Sequence, residues 1–162
     1  MTQATVARIA RHVSLLGCGM LAGIAVTVLF LELALRRLSG PEYVRVRQAE
    51  FTVFTRFIGA VFVPTLIAVA MLALQERRRP VARRPEAVAL ALLLLALAIS
   101  LAVNGPINVE QLSRHAQTPP ADWAQLHDRW QIAHAVRTAA IALAFGRLGA
   151  AAAHRDRIDV PF

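Results

Sequence analysis

The chain contains no lysine and a single cysteine, and only 17% of its 162 residues are charged. All 18 basic residues are therefore arginines. Cys18 has no partner for a disulfide within the chain, and its apolar surroundings predict a buried position in helix packing. The sequence also lacks compact metal-binding motifs such as HExxH or CxxC. These absences exclude a disulfide-stabilised scaffold and a metal site built on a local motif.

Long apolar runs are what the chain has instead. Hydrophobic residues make up 57% of it, and its mean hydropathy is +0.52, which is too apolar for an ordinary soluble domain. Four runs approach the roughly 20 residues that cross a hydrocarbon core, and lipid requires such runs to be helical. They cover residues 13–35, 51–74, 87–103 and 132–153. We predict one all-α domain over residues 1–162, a four-transmembrane-helix bundle.

The distribution of charge argues for a membrane and against nucleic acid. The net charge is +8, but the arginines cluster at the ends of the apolar runs, where the positive-inside rule operates. The short segment QERRRPVARR between the second and third runs is especially dense in arginine. We therefore predict an inner-membrane protein with both termini and this segment in the cytoplasm.

Turn and cap residues suggest where the helices begin and end. Asn104-Gly105-Pro106 predicts the end of the third span, because the sequence Gly-Pro interrupts helices. Thr118 followed by Pro119 and Pro120 predicts a helix start, so the fourth helix extends beyond the membrane. The segment 104–131 is then non-cytoplasmic. Gly19 and Gly23 form a small-xxx-small pair that favours close helix contact.

The most informative pattern is a stripe on the fourth helix. Intervals of four, three, four and three residues keep its members on one helical face. They are Trp123, His127, Trp130, His134 and Arg137. The stripe runs from a polar stretch into an apolar one, so His134 and Arg137 fall at membrane depth. Ionisable groups at that depth are costly and usually mark a functional site, although interhelical hydrogen bonding is the structural alternative.

Topology gathers other polar residues around this stripe. Four antiparallel spans bring the end of the first, the start of the second, the end of the third and the start of the fourth to one side. The polar residues there are Glu32, Arg56, Asn104, Asn108, Glu110, His134 and Arg137, whereas the other half is nearly all Ala, Leu, Val and Ile. Structural roles also exist: Glu32 can pair with Arg36 one turn away, and Arg56 can reach the headgroups.

A metal site is not predicted. His127 and His134 are seven residues apart, about 10.5 Å along a helix axis, which is too far to share one ion. His134 together with Glu32 or Glu110 from another helix stays an open alternative. We predict no cofactor.

The motif NGPIN at residues 104–108, followed by Trp123, Trp130, His134 and Arg137, resembles the anthrone-oxygenase-like family of small four-helix integral membrane proteins. That family shows an Asn-x-Pro-x-Asn element at the end of the third span. A Trp-x6-Trp pair and a polar-x2-Arg element follow on the fourth. Gly105 departs from the larger apolar residue often found inside the first motif. Some members of that family oxidise polyketide anthrones to anthraquinones with dioxygen and without an organic cofactor, and the resemblance implies a reaction of this kind.

Residue roles can be matched to such a reaction. His134 is the predicted base, Arg137 the predicted oxyanion stabiliser, and Glu32 orients His134 or neutralises Arg137. The predicted substrate-binding residues are Asn104, Asn108, Trp123, His127 and Trp130. Partners would be membrane lipid, a lipophilic phenolic aromatic and O2. A non-catalytic membrane subunit and a small transporter-like module are the alternatives, since both could use the same polar cluster.

Overall fold

The computed structural model describes residues 2–77, 84–113 and 123–158, with side chains of the last segment described up to Arg155. The described residues form five α-helices and one π-helical turn. The α-helices are α1 (Gln3–Leu35), α2 (Gly40–Gln75), α3 (Pro85–Ile99), α4 (Gly105–Ser113) and α5 (Trp123–Ile158), and the π-helical turn covers Ser100–Asn104.

The predicted four-helix architecture is confirmed. Four helical segments are long and apolar enough to cross a membrane: α1, α2, the continuous rod from Pro85 to Ser113, and α5. They pack in a ring in which α1 contacts α2 and α5, and α3 contacts α5 and α2. With 36 residues, α5 is about 54 Å long, which exceeds a hydrocarbon core of about 30 Å. The cytoplasmic location of both termini stays a prediction.

Local sequence explains where the helices begin. The Thr2 hydroxyl accepts a hydrogen bond from the Thr5 N–H at 3.3 Å and so caps α1. At the start of α2, the Glu42 carboxylate accepts from the Ser39 backbone N–H at 2.9 Å, which is half of a capping box. Pro85 opens α3, where its missing N–H costs nothing. The predicted start of the last helix near Pro119 lies outside the described residues.

The prediction that the helix ends at Asn104-Gly105-Pro106 is wrong, because the helix continues to Ser113. Where the membrane span ends stays a prediction. A π-helical turn takes up the disturbance, and the Gly105 N–H donates to the Ser100 carbonyl five residues earlier. The wider turn accommodates Pro106, which cannot donate an N–H and whose ring crowds the preceding turn. A Cβ on Gly105 would lie 3.0 Å from the Ser100 oxygen, so a small residue suits this position.

Small residues set the packing between α1 and its neighbours. Cys18 is fully buried, as predicted, in a core with Leu21, Leu93 and Ala144. The closest approach lies at Gly17, where an added Cβ would sit 1.9 Å from the Thr65 hydroxyl oxygen of α2. The prediction of close helix contact at Gly19 and Gly23 therefore holds for Gly19 only. Gly19 does face Phe145 of α5, but a Cβ on Gly23 would meet nothing within 4 Å.

We expect Gly17→Val to destabilise the bundle by about 1–3 kcal/mol, because the added side chain forces α1 and α2 apart. Gly23→Val is the matched control on the same helix, and we expect it to change stability little. Thermal unfolding of both purified variants in detergent measures the difference. Equal melting temperatures for the two variants would contradict the close contact between α1 and α2.

Candidate functional site

We call the end of the bundle where α1 ends and α2 and α5 begin the polar end. A cavity of about 450 Å³ lies between the helices there and extends toward the middle of the bundle. Its walls are mostly apolar and include Phe51, Phe54 and Phe62 of α2. Five predicted site residues line it, namely Asn104, Asn108, Trp130, His134 and Arg137. Glu32, Trp123 and His127 are not among the residues that line it.

Arg137 and His134 form a connected pair one helical turn apart on α5. The Arg137 Nε donates to His134 Nδ1 at 2.9 Å, and its Nη1 donates to the Ser100 hydroxyl at 3.1 Å. That hydroxyl donates in turn to the Ala96 carbonyl at 2.8 Å. These partners of the Arg137 guanidinium are neutral. Hydrogen bonds thus orient the Arg137 guanidinium, but no carboxylate among the described residues pairs with its positive charge.

The contacts of His134 fix its tautomer. Its Nε2 lies 2.9 Å from the Ala25 carbonyl oxygen of α1, which can only accept a hydrogen bond. Nε2 therefore carries the proton, and Nδ1 is the acceptor that receives the Arg137 N–H. Both ring nitrogens are engaged in hydrogen bonds, and the lone pair on Nδ1 faces the Arg137 guanidinium. This geometry argues against the predicted role of His134 as the base and favours a role in holding Arg137.

Trp130 is enclosed by cations and by His134. Its ring stacks on the His134 ring with 4.9 Å between centroids and 18° between planes. The guanidinium carbon of Arg47 lies 4.5 Å from a Trp130 ring centroid, and that of Arg137 lies 5.7 Å away. Both distances are within the range of cation–π attraction. Trp130 therefore stabilises two neighbouring positive charges, a role that the sequence pattern did not indicate.

Glu32 is fully buried and is the centre of a second cluster beside the cavity. Its Oε2 accepts hydrogen bonds from the Tyr43 hydroxyl and from His127 Nε2, both at 3.0 Å. Its Oε1 lies 2.9 Å from Arg47 Nη1 in an ion pair without hydrogen-bond geometry. The expected pairing of Glu32 with Arg137 is thus not what the structure shows. Glu32 lies beside His127, and Arg137 is ten residues or about 15 Å further along α5, whereas Arg47 of α2 reaches the Glu32 carboxylate.

The two asparagines tie the third span to its neighbours. The Asn104 side-chain amide donates to the Trp130 carbonyl at 3.0 Å, which leaves its buried oxygen without a hydrogen-bond donor among the described residues. The Asn108 oxygen accepts from Trp130 Nε1 at 2.8 Å and from Arg47 Nη2 at 3.0 Å. These bonds hold Arg47 and Trp130 against the rod of α3 and α4.

Other predicted residues lie further from the cavity. Trp123 packs near Tyr43, with 6.0 Å between ring centroids, and belongs with His127 to the Glu32 cluster. Arg36 does not pair with Glu32 but with Asp128 and Gln131 of α5. Arg56 is exposed on the outside of α2.

The opposite end of the bundle carries a second charged cluster, whose residues lie just outside the predicted apolar spans. Glu86 in the first turn of α3 is buried and receives a hydrogen bond from Arg155 Nη2 at 2.6 Å. Arg155 also lies 3.5 Å from Glu76. The apolar core that contains Leu21, Leu93 and Ala144 lies between these residues and the cavity. The two charged regions are thus separated by packed side chains.

The charged residues Arg47 and Glu50 and the Arg137 partner Ser100 line the cavity, and sequence reasoning missed all of them. A signal for two of them existed. Tyr43, Arg47 and Glu50 follow one another at intervals of four and three on α2, which is the same spacing that identified the stripe on α5. They precede the apolar run 51–74, so hydropathy alone does not place them in the membrane bundle. Ser100 carries no such signal, since a lone serine in a membrane helix is common.

The described residues contain no group of three His, Cys, Asp or Glu side chains arranged to hold a metal ion. His127 and His134, the two histidines of the stripe, belong to different clusters, one bonded to Glu32 and the other to Arg137.

Four apolar helices line the cavity, which has two arginines, two asparagines and a histidine at one end. These features define a class of small helical membrane proteins with a polar site between the helices. Comparison with known families identifies which one. The family model described as anthrone oxygenase matches residues 51–146, more than half of the chain, so the chain belongs to that family. Comparisons with curated proteins and with solved structures gave no match.

Proposed function

We propose that this protein oxidises a flat, lipid-soluble phenolic aromatic of the anthrone type with O2, and that the reaction takes place at the polar end of the cavity. One observation carries the proposal beyond family membership. Arg137 presents a charge without a carboxylate partner among the described residues to a cavity whose walls are mostly apolar. Such a site suits a ligand that is mostly apolar and carries a single anionic group.

The cavity suits a three-ring aromatic in size and in the distribution of its polarity. Its volume of about 450 Å³ lies within the range of ligand sites, roughly 300–1,000 Å³. Phe51, Phe54 and Phe62 supply apolar walls, and polar groups occupy only one end. An anthrone has the same division, with fused rings and a few oxygens.

Arg137 is the proposed stabiliser of the anion that forms when an anthrone loses its acidic ring proton. The resulting enolate carries its charge on oxygen, and a guanidinium in an apolar site stabilises such a charge strongly. His134 and Ser100 fix the direction of the guanidinium by accepting its N–H groups. In this proposal His134 is a positioning residue, because its contacts are with Arg137 and Ala25.

The remaining predicted binding residues divide into two groups. Asn104 and Asn108 line the cavity and are the proposed partners of the substrate's carbonyl and phenol oxygens. Trp123, His127 and Glu32 form the cluster that holds Arg47 in place and are not proposed to touch the substrate. We propose that no organic cofactor takes part, as the family resemblance implies.

Purified protein in detergent should consume O2 and form anthraquinone from 1,8-dihydroxyanthrone faster than protein-free detergent does. A variant that narrows the cavity tests whether the reaction occurs there. Gly59 lies in the cavity wall, and an added Cβ meets no atom within 4 Å, so Gly59→Trp is compatible with the backbone. We expect this variant to lose at least about ten-fold in activity.

Gly146→Trp is the matched control, since Gly146 also has open space around it but does not line the cavity. We expect it to keep wild-type activity. A wild-type rate equal to the protein-free rate with a panel of hydroxylated anthrones would overturn the proposed function. Equal losses in both tryptophan variants would move the reaction away from the cavity.

A further inference from the structure

The proposed reaction needs a group that accepts a proton, and the residues first considered for it are already engaged. The single lone pair of His134 receives an N–H from Arg137. The carboxylate of Glu32 is fully buried, accepts from Tyr43 and His127, and forms an ion pair with Arg47. Neither group is free to take a proton from a molecule in the cavity without losing these contacts.

Glu50 of α2 is placed differently. Among the acidic residues in the described part of the chain, it is the one that lines the cavity. Its side chain is 24% exposed, and its ion-pair contact is a longer one, 3.7 Å from Arg47 Nη1. The same Arg47 nitrogen lies 2.9 Å from Glu32, so Glu32 takes the closer contact. Glu50 is therefore held near the polar end by a longer contact to Arg47, and its partly exposed side chain belongs to the cavity wall.

We propose that Glu50 is the general base that removes the acidic ring proton of the substrate, an inference that rests on the proposed function. Arg47 keeps the carboxylate oriented, and Arg137 receives the negative charge that develops on the substrate oxygen. Base and anion stabiliser thus come from different helices, α2 and α5, that both line the cavity. A carboxylate needs a substrate whose C–H is unusually acidic, which is the case for a CH2 group between two aromatic rings and opposite a ketone.

The step balances with O2 as the oxidant. Glu50 takes one proton from the CH2 carbon, and the enolate gives an electron to O2. The two radicals then combine, and the peroxide on that carbon takes the proton back from Glu50. The carboxylate removes the second hydrogen as a proton while the O–O bond breaks and hydroxide leaves. Proton and hydroxide make water, so that one anthrone and one O2 give one anthraquinone and one H2O.

Hydrogen exchange without oxygen isolates the first proton transfer. Full-length protein in detergent is mixed with 1,8-dihydroxyanthrone in D2O under argon, and NMR follows the loss of the CH2 signal. We expect the wild type to accelerate exchange over protein-free detergent, and Glu50→Gln to lose about 10²-fold or more of that acceleration. Glu50→Asp keeps a carboxylate that is one methylene shorter, so its exchange rate falls between the two.

Glu42→Gln is the matched control on the same helix. Glu42 lies outside the cavity, and glutamine also serves at its position in the capping box, so its exchange rate should equal the wild type. An exchange rate in folded Glu50→Gln equal to that of the wild type would overturn the role of Glu50 while leaving the proposed function intact. If Glu50→Gln fails to fold, Glu50→Ala takes its place, and a wild-type exchange rate in folded Glu50→Ala decides against the proposal in the same way. If the wild type accelerates neither exchange nor oxidation, both proposals fall.

Discussion

Replacing Arg47 with methionine should destabilise the bundle by about 3–5 kcal/mol, because it leaves the fully buried Glu32 carboxylate without its closest cation. The double variant Arg47→Met with Glu32→Gln removes both charges. Its glutamine oxygen still accepts from Tyr43 and His127. We therefore expect the double variant to lose less than the two single variants added together, by about 1–3 kcal/mol. Thermal unfolding in detergent measures all three.

A second pair of substitutions controls for coupling that is not specific to the ion pair. Glu42→Gln lies on the same helix but outside the Glu32 cluster, so its effect should add to that of Arg47→Met. If the stability losses of Arg47→Met and Glu32→Gln also add, the buried ion pair contributes no coupling energy. Glu32 is then held by Tyr43 and His127 alone.

Replacing Arg137 with methionine should reduce the proposed oxidation by about 10²–10³-fold, as the loss of one preorganised group that stabilises a developing anion does in other enzymes. The reason is that Arg137 presents the charge without a carboxylate partner in the described structure. For the same reason this variant should fold well, since removing Arg137 leaves no carboxylate behind. Oxygen uptake and anthraquinone absorbance, measured beside a melting curve, separate the two effects.

Arg56→Met is the matched control for Arg137→Met. Arg56 also lies within a predicted span, residues 51–74, but it is exposed on the outside of α2. Its removal should leave oxidation unchanged. Activity of Arg137→Met within about three-fold of the wild type would contradict the proposed role and assign anion stabilisation to Arg47.

Hydropathy and spacing determined the parts of this protein that depend on one helix at a time. Apolar runs near membrane length fix the four spans, because lipid leaves such segments few other structures. The intervals between Trp130, His134 and Arg137 place them on one face of α5, and the structure lines the cavity with all three. Antiparallel connection then brings Asn104 and Asn108 to the same end, as the sequence predicts.

Contacts between helices were decided only in the tertiary structure. Hydropathy places each helix only approximately along the membrane normal, and it does not determine the rotation of a helix about its axis. An ion pair depends on both. Glu32 meets Arg47 and not Arg137, because the register and rotation of the helices place Glu32 beside His127, ten residues or about 15 Å before Arg137 along α5. Close packing at Gly17 and not Gly23 has the same cause. The π-helical turn at Ser100–Asn104 carries the third span past Pro106, since the surrounding helices stabilise a backbone irregularity that local rules predict to be an end.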